Sequence, residues 1–196
     1  MDNLLARRRA LTAALLGGAV LPRGAHAEAR TLKAPLPALW DPVVKPMVQG
    51  TARGPNGSIA YRRYGNGPKT TIVTLHGGPA AGHRYLRPYA ALATDRPVVF
   101  YDQSGCGRSA RPADLALYTP ERYVDELEAL RIRLGLEQMI LLGHSWGGLL
   151  APACAATVSL LHDARLAVFD GLSHMAHIED PARVVAASAD FVAAID

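Results

Sequence analysis

The sequence predicts an α/β fold, a mostly parallel sheet with helices on both faces, and three observations carry that expectation. Short apolar or β-branched runs recur at Thr70–Leu75, Pro97–Tyr101 and Met139–Leu142, each ended by glycine or a polar turn, as strands buried on both faces are. Helical periodicity fills the intervals, at about His83–Thr94 and from Pro120 to Leu134. Strands alternating with helices close most readily as parallel crossover units. With 196 residues, 49% of them hydrophobic, one packed core is within reach.

The elements follow in order. Met1–Ala27 reads as an export leader: Arg7, Arg8 and Arg9, an apolar run from Ala10 to Leu21, then Ala25-His26-Ala27 as a cleavage site. The arginine pair ahead of a Gly-containing core points to twin-arginine export, with general secretion and an uncleaved anchor as alternatives. The run is shorter than the ~20 residues that span a bilayer, so the expected product is periplasmic or secreted, without a stable membrane span after cleavage. The leader holds four arginines and one acid; without it the net charge falls from +4 to +1, which gives no ground for a nucleic-acid partner. Residues 28–56, rich in Ala, Pro and Gly, read as an extended leader or edge segment, with Trp40 pinned on the core. The globular domain is expected over 57–196.

Ile59–Tyr64 alternates as a half-buried strand does, and Gly65-Asn66-Gly67-Pro68 is a turn. The helix near His83 places Leu86, Tyr89, Ala90 and Ala93 on one face. Thr119 caps a helix that starts at Pro120, buries Tyr123, Val124, Leu127, Leu130 and Leu134, and stops at Gly135. After the Met139 strand a helix runs to about Ala156. Leu166–Phe169 reads as a further strand, and Asp180 caps a last helix from Pro181, with Val184, Val185, Phe191, Val192 and Ile195 inward. The two cysteines, Cys106 and Cys154, are expected as free thiols; one disulfide is the alternative.

The chemistry centres on Gly143-His144-Ser145-Trp146-Gly147, a G-x-S-x-G between a strand and a helix. That context puts the serine on a strained turn that pushes its side chain outward, and glycines on either side remove the Cβ atoms that would clash. A serine hydroxyl needs a base within hydrogen-bond reach. Among seven histidines, His174 sits just past a strand's carboxyl end, where open α/β sheets gather reactive groups; His177 is the second choice, and His76 also ends a strand. His144 packs inside the turn, and His83 and His162 read as solvated or helical. His174 and His177 lack a third ligand at metal-binding spacing, so no metal is expected. Oxyanion donors fit the backbone at Gly77–Gly78 and the amide of Trp146. Gly105–Gly107 reads as a structural loop. Acyl transfer with these groups needs no cofactor, only water and a small-molecule or peptide substrate.

His76-Gly-Gly-Pro79, Asp102-Gln-Ser-Gly-Cys-Gly-Arg-Ser109, Gly143-His-Ser-Trp-Gly-Gly148 and Ser173-His-Met-Ala-His-Ile-Glu-Asp-Pro181 resemble the proline iminopeptidases and their relatives in the α/β-hydrolase superfamily. The resemblance implies Ser145 as nucleophile, His174 as base, and the amides of Gly78 and Trp146 as the oxyanion hole. Three departures stand out: Ala80 where the family has glycine, Ser104 where it has arginine, and only 29 positions from Ser145 to His174, where the family has a far longer stretch. The missing stretch would hold a helical cap, two strands and the triad's acid, so the resemblance implies a truncated α/β-hydrolase fold with an internal deletion near 155–159. Asp170 and Asp163 are the carboxylates left to stand in for the acid. The family's cap grips the substrate's free amine through acidic groups, so its loss removes the visible basis for proline specificity. The Leu166–Phe169 strand would have to pair beside Met139–Leu142, or an apolar edge stays open. The expected function is a serine hydrolase of small peptides, amides or esters, most like a proline iminopeptidase that releases N-terminal proline. The alternative is a catalytically impaired or inactive remnant, or a ligand-binding scaffold.

Overall fold

A computed structural model of the chain describes residues 11–16, 45–78, 81–157, 169 and 171–195. Six strands form one sheet in the order β1-β6-β4-β5-β3-β2: β1 (Leu11–Leu16), β2 (Val48–Gly54), β3 (Gly57–Tyr64), β4 (Thr71–Leu75), β5 (Val98–Tyr101) and β6 (Met139–His144). The first four in that order run parallel, while β3 is antiparallel to β5 and β2 to β3. Every residue of β4, β5 and β6 is buried, as their unbroken apolar character requires. Ile72 stands opposite both Val98 and Ile140, so these strands share one register through the middle of the sheet.

Side chains alternate to the two faces. Val73, Leu75, Val99, Tyr101 and Leu141 meet Tyr123, Leu127 and Leu130 of α1 (Pro120–Leu134) and Leu150 of α2 (Trp146–Thr157). Ile72, Val98, Phe100, Ile140 and Leu142 meet Leu86, Tyr89 and Leu92 from one side and Val184, Val185, Phe191 and Val192 of α4 (Pro181–Ala193) from the other. A one-turn helix, α3 (Ala176–Glu179), precedes α4 and is not marked in the sequence. Thr119 Oγ1 accepts from the Arg122 amide at 3.4 Å, Asp180 Oδ1 accepts from the Arg183 amide at 3.0 Å, and Gly135 ends α1 with φ 67°, so both caps and the stop are where the sequence puts them.

Three elements differ from expectation. Residues 83–92 form a 3₁₀ helix with Pro88 inside it, in place of the expected α-helix; its buried set is His83, Leu86, Pro88, Tyr89 and Leu92. The expected Ala90 and Ala93 are only half-buried. The sheet takes in residues ahead of 57, since Val48–Gly54 turns at Pro55-Asn56 and pairs with β3 as an edge strand, the edge segment that is one of the two readings of 28–56. His83, read as solvated or helical, is helical and buried. The largest difference is β1. The apolar run read as leader core pairs in parallel with β6, Leu11 opposite Met139 through Leu16 opposite His144, and α2 packs against it. The edge expected for Leu166–Phe169 is thereby filled from the N-terminal side. Of that predicted strand only Phe169 is described, and it is in no strand; the rest, with Trp40, His162, Asp163 and Asp170, lies outside the described residues. No helix among the described residues is long and apolar enough to cross a membrane.

Candidate active site

The carboxyl ends of β6, β4 and β5 deliver the three loops of the site. At the end of β6 the chain turns so sharply that Ser145 takes φ 55°, the one positive φ at a non-glycine among the described residues. A serine in this region costs about 1–2 kcal/mol, and the surrounding packing holds it there. The flanking glycines are required by contact. A Cβ on Gly143 would stand 2.6 Å from the Gly147 carbonyl carbon and 2.8 Å from the Gly148 nitrogen. One on Gly147 would stand 2.5 Å from the carbonyl carbon of Leu75, at the end of β4. The amides of Gly148 and Leu149 bond back to the Ser145 carbonyl at 2.8 and 3.2 Å, so α2 starts on the serine itself. Ser145 is half-buried, and its hydroxyl makes no hydrogen bond among the described residues.

The β4 loop comes alongside. A Cβ on Gly77 would lie 2.8 Å from Ser145 Cβ, 2.9 Å from the Tyr85 hydroxyl and 3.0 Å from His144 Nδ1, so only a bare backbone passes here. Gly78 is exposed with φ 36° and open space around its Cα, and its amide has no partner among the described residues. The Trp146 amide, first in α2, has no intrahelical acceptor. Two free N–H groups therefore flank the serine, from the positions expected of oxyanion donors.

Gln103, from the β5 loop, is a residue the sequence reading missed. Its Oε1 accepts from Trp146 Nε1 at 3.1 Å, its Nε2 donates to the His76 carbonyl at 3.1 Å, and its amide donates to His76 Nε2 at 3.0 Å. One side chain thus ties the serine turn to the glycine loop. A polar residue between Asp102 and a glycine-rich loop was the signal available.

Behind Gln103 lie His76, Asp102 and Cys106, whose ligand atoms fall within 4.8 Å of one another, the spacing of a metal site. Each of the three is already engaged by hydrogen bonds within the fold. His76 Nε2 accepts from Gln103, and its Nδ1 lies 3.1 Å from the Gly77 carbonyl. Asp102 accepts from the His83 amide at 3.1 Å, from His83 Nδ1 at 2.7 Å and from the Arg108 amide at 3.0 Å. Cys106, a buried free thiol, donates to the Gln103 carbonyl at 3.1 Å. Burial lowers the His76 pKa to about 4 and raises that of Cys106 to about 12. Burial also works to raise Asp102, but the bonds and charge of His83 and the backbone donors outweigh it and hold the carboxyl below its ordinary range. The cluster braces the loop; Gly107, φ 50°, leaves no room for a Cβ beside the Asp102 carboxylate. This agrees with the structural reading of Gly105–Gly107.

The two histidines near the last helix are sorted by burial. His177 is 2% exposed, stacks on Tyr89 with ring centroids 5.9 Å apart, and leaves Nε2 without a partner; burial first, then the nearby His144 and His174, lower its pKa to about 4. It is an interior ring. His174 is exposed, its ring 4.8 Å from that of His144, the residue before Ser145. The structure thus brings the first-choice base to the neighbourhood of Ser145, without a hydrogen bond between the two side chains among the described residues. No described carboxylate bonds to the His174 ring. Glu179, the nearest in sequence among the described carboxylates, is held by the Ser173 amide at 2.9 Å and by the Ser173 hydroxyl. A cavity of about 230 Å³ is lined by Thr51, Arg62, His83, Asp102 and Arg108 among others; neither Ser145 nor His174 lines it.

Comparison with known proteins agrees with this fold. Residues 70–159 match the family model described as the alpha/beta hydrolase fold. A proline iminopeptidase of Heyndrickxia coagulans is 44% identical over 102 residues, 52% of this chain and 35% of that protein. One of Saccharolobus solfataricus is 48% identical over 101 residues, 50% of this chain and 33% of the relative. The chain therefore matches about a third of the length of these relatives. The crystal structure of a proline iminopeptidase of Mycobacterium smegmatis superposes with a TM-score of 0.55 at 33% identity, covering 60% of this chain and 42% of that one.

Proposed function

The chain carries an α/β-hydrolase fold with proline iminopeptidase-like sequence, and on that premise we propose that it is a serine hydrolase working by acyl transfer on small peptides, amides or esters. The observation that carries the reading is the left-handed Ser145 turn with the bare backbone of Gly77 pressed against it. In the proposed cycle Ser145 Oγ attacks the substrate carbonyl carbon while His174 takes its proton. The oxyanion receives the amides of Gly78 and Trp146. His174 returns the proton to the departing amine or alcohol, and water releases the acyl group by the same steps in reverse. Loss of the acid from a serine triad costs about 10⁴ in rate, so a chain whose His174 has no carboxylate partner is expected to be slower by that factor.

Release of N-terminal proline is the finer proposal, supported by the kinship with proteins named proline iminopeptidases. Hydrolysis of a prolyl anilide and of a short-chain ester by the full chain and by Ser145→Ala tests both levels. Turnover of either substrate that vanishes in the variant supports a serine hydrolase, and preference for the anilide supports the peptidase. Turnover unchanged in Ser145→Ala, or none by a folded wild-type chain, contradicts the proposal. The second outcome favours a ligand-binding or inactive scaffold, a reading supported by the unbonded Ser145 hydroxyl. A periplasmic or secreted location is likewise a proposal, resting on Arg7–Arg9 and Ala25-His26-Ala27. Cleavage there would remove β1 with the leader.

A further inference from the structure

Tyr85 and His144 belong to neither the nucleophile, the base nor the oxyanion donors, yet they lie between all three. The Gly77 amide donates to the Tyr85 hydroxyl. That hydroxyl lies 3.0 Å from His144 Nδ1, and His144 Nε2 lies 2.8 Å from the His174 carbonyl. For a neutral His144, which burial favours, one arrangement of hydrogens satisfies every contact. The His174 carbonyl can only accept, so the ring proton sits on Nε2; Nδ1 is then an acceptor, and the Tyr85 hydroxyl, which receives the Gly77 N–H, gives it its own hydrogen.

We propose that Tyr85 and His144 are positioning residues that tie the oxyanion loop to the loop carrying the base, through one directed hydrogen-bond chain from Gly77 to His174; this rests on the serine-hydrolase reading above. Three features of the site make the tie consequential. Gly77 precedes the proposed donor Gly78, so holding its amide fixes the peptide immediately ahead of the one that presents the donor. His144 is the last residue of β6, buried at 4% exposure, so the chain is anchored on the sheet and not on a loop. The segment from Gly171 to Met175 is in no strand, and His174 itself is exposed, so the carbonyl bond to His144 is the link that joins the base's backbone to the nucleophile's strand. Ring packing supports the same placement. Tyr85 meets His144 edge-on at 5.3 Å, and His177 braces both from the interior, 4.5 Å from His144 and 5.4 Å from Tyr85.

The test uses the full chain with Tyr85→Phe, His144→Leu and His144→Gln. Glutamine carries an acceptor and a donor at the tip of its side chain and can keep both ends of the link; leucine keeps neither. Fluorophosphonate labelling of Ser145 is expected to slow roughly ten- to hundredfold in Tyr85→Phe and His144→Leu, the scale of a small misplacement of reacting groups, and to recover most of that in His144→Gln. With a short ester the loss is expected in kcat, with KM held. Two readouts do not depend on activity: imidazole nitrogen NMR, expected to show His144 protonated at Nε2 alone, and hydrogen exchange of the Gly77 amide, expected to accelerate in Tyr85→Phe. If the wild-type chain takes no label, the serine-hydrolase reading falls, and those two readouts decide the link. A proton on Nδ1, unchanged Gly77 exchange, or a glutamine variant no better than leucine overturns the proposal.

Discussion

Gly147→Ala puts one methyl group where α2 crosses the end of β4, and its cost can be worked from the geometry. The new Cβ would stand 2.5 Å from the Leu75 carbonyl carbon and 2.8 Å from Leu75 Cβ. Carbon atoms settle at about 3.5 Å or more, so the two backbones must part by about 1 Å. Neither side yields easily, since Leu75 is fully buried in β4 and Gly147 is in the first turn of a helix that starts on the serine. Overpacking of this kind costs about 1–3 kcal/mol, and with backbone on the receiving side we expect the top of that range, a fall in Tm of roughly 6–12 °C. The same displacement moves the Trp146 amide away from Gly78, and a misplacement of about 1 Å is worth roughly 10²-fold in rate. Calorimetry gives the first quantity and the rate of fluorophosphonate labelling the second. Gly135→Ala is the control: φ is 67° but nothing lies within 4 Å, so it should cost about 1 kcal/mol in backbone strain and leave labelling unchanged. A Gly147→Ala protein with wild-type Tm and labelling rate would refute the close-approach argument for the elbow.

Other expectations follow from the same structure. His76 and His177 are held neutral with pKa values near 4 against an ordinary 6.5, so the unfolded chain takes up protons first as pH falls. Their stability is complete above pH 6.5 and is lost between there and pH 4, on the order of 3 kcal/mol for each; urea midpoints that stay flat over that window would contradict it. Asp102→Asn removes the charge that faces His83 and one of the acceptors held by three N–H groups; it should destabilise the chain by about 2–4 kcal/mol in denaturant titration, with the Arg108 loop exchanging amide hydrogens faster. Proline at both Ala13 and Ala14 breaks the β1 ladder whichever residue bonds to β6; faster amide exchange at Met139–His144 is expected, and unchanged exchange would mean that β1 does not cover that edge.

Legibility differed from element to element, for physical reasons. β4, β5 and β6 are buried on both faces, so their composition alone marks them, and the Thr119-Pro120 and Asp180-Pro181 caps are local chemistry that needs no tertiary context. The Ser145 turn was readable because Gly143 and Gly147, two residues to either side of it, are forced by close backbone contacts. Pro88 was visible, yet the apolar spacing around it suits a 3₁₀ turn as well as an α-helix. β1 was not readable as a strand: an apolar run of leucine and alanine serves an export signal or a sheet edge equally, and only the open side of β6 selects the second. The roles of Gln103 and Tyr85 depend on loops that meet only in the fold, so no spacing could announce them. His174 and His177, three residues apart, were separated only by burial.

The claim on which the rest depends is that Ser145 is an activated nucleophile in this chain. Fluorophosphonate treatment of the full-length protein, followed by peptide mass mapping, measures it directly. The account predicts a single adduct on Ser145 that is absent from Ser145→Ala and forms more slowly in His174→Ala. A folded chain that takes no adduct, or one whose labelling survives Ser145→Ala, would contradict it.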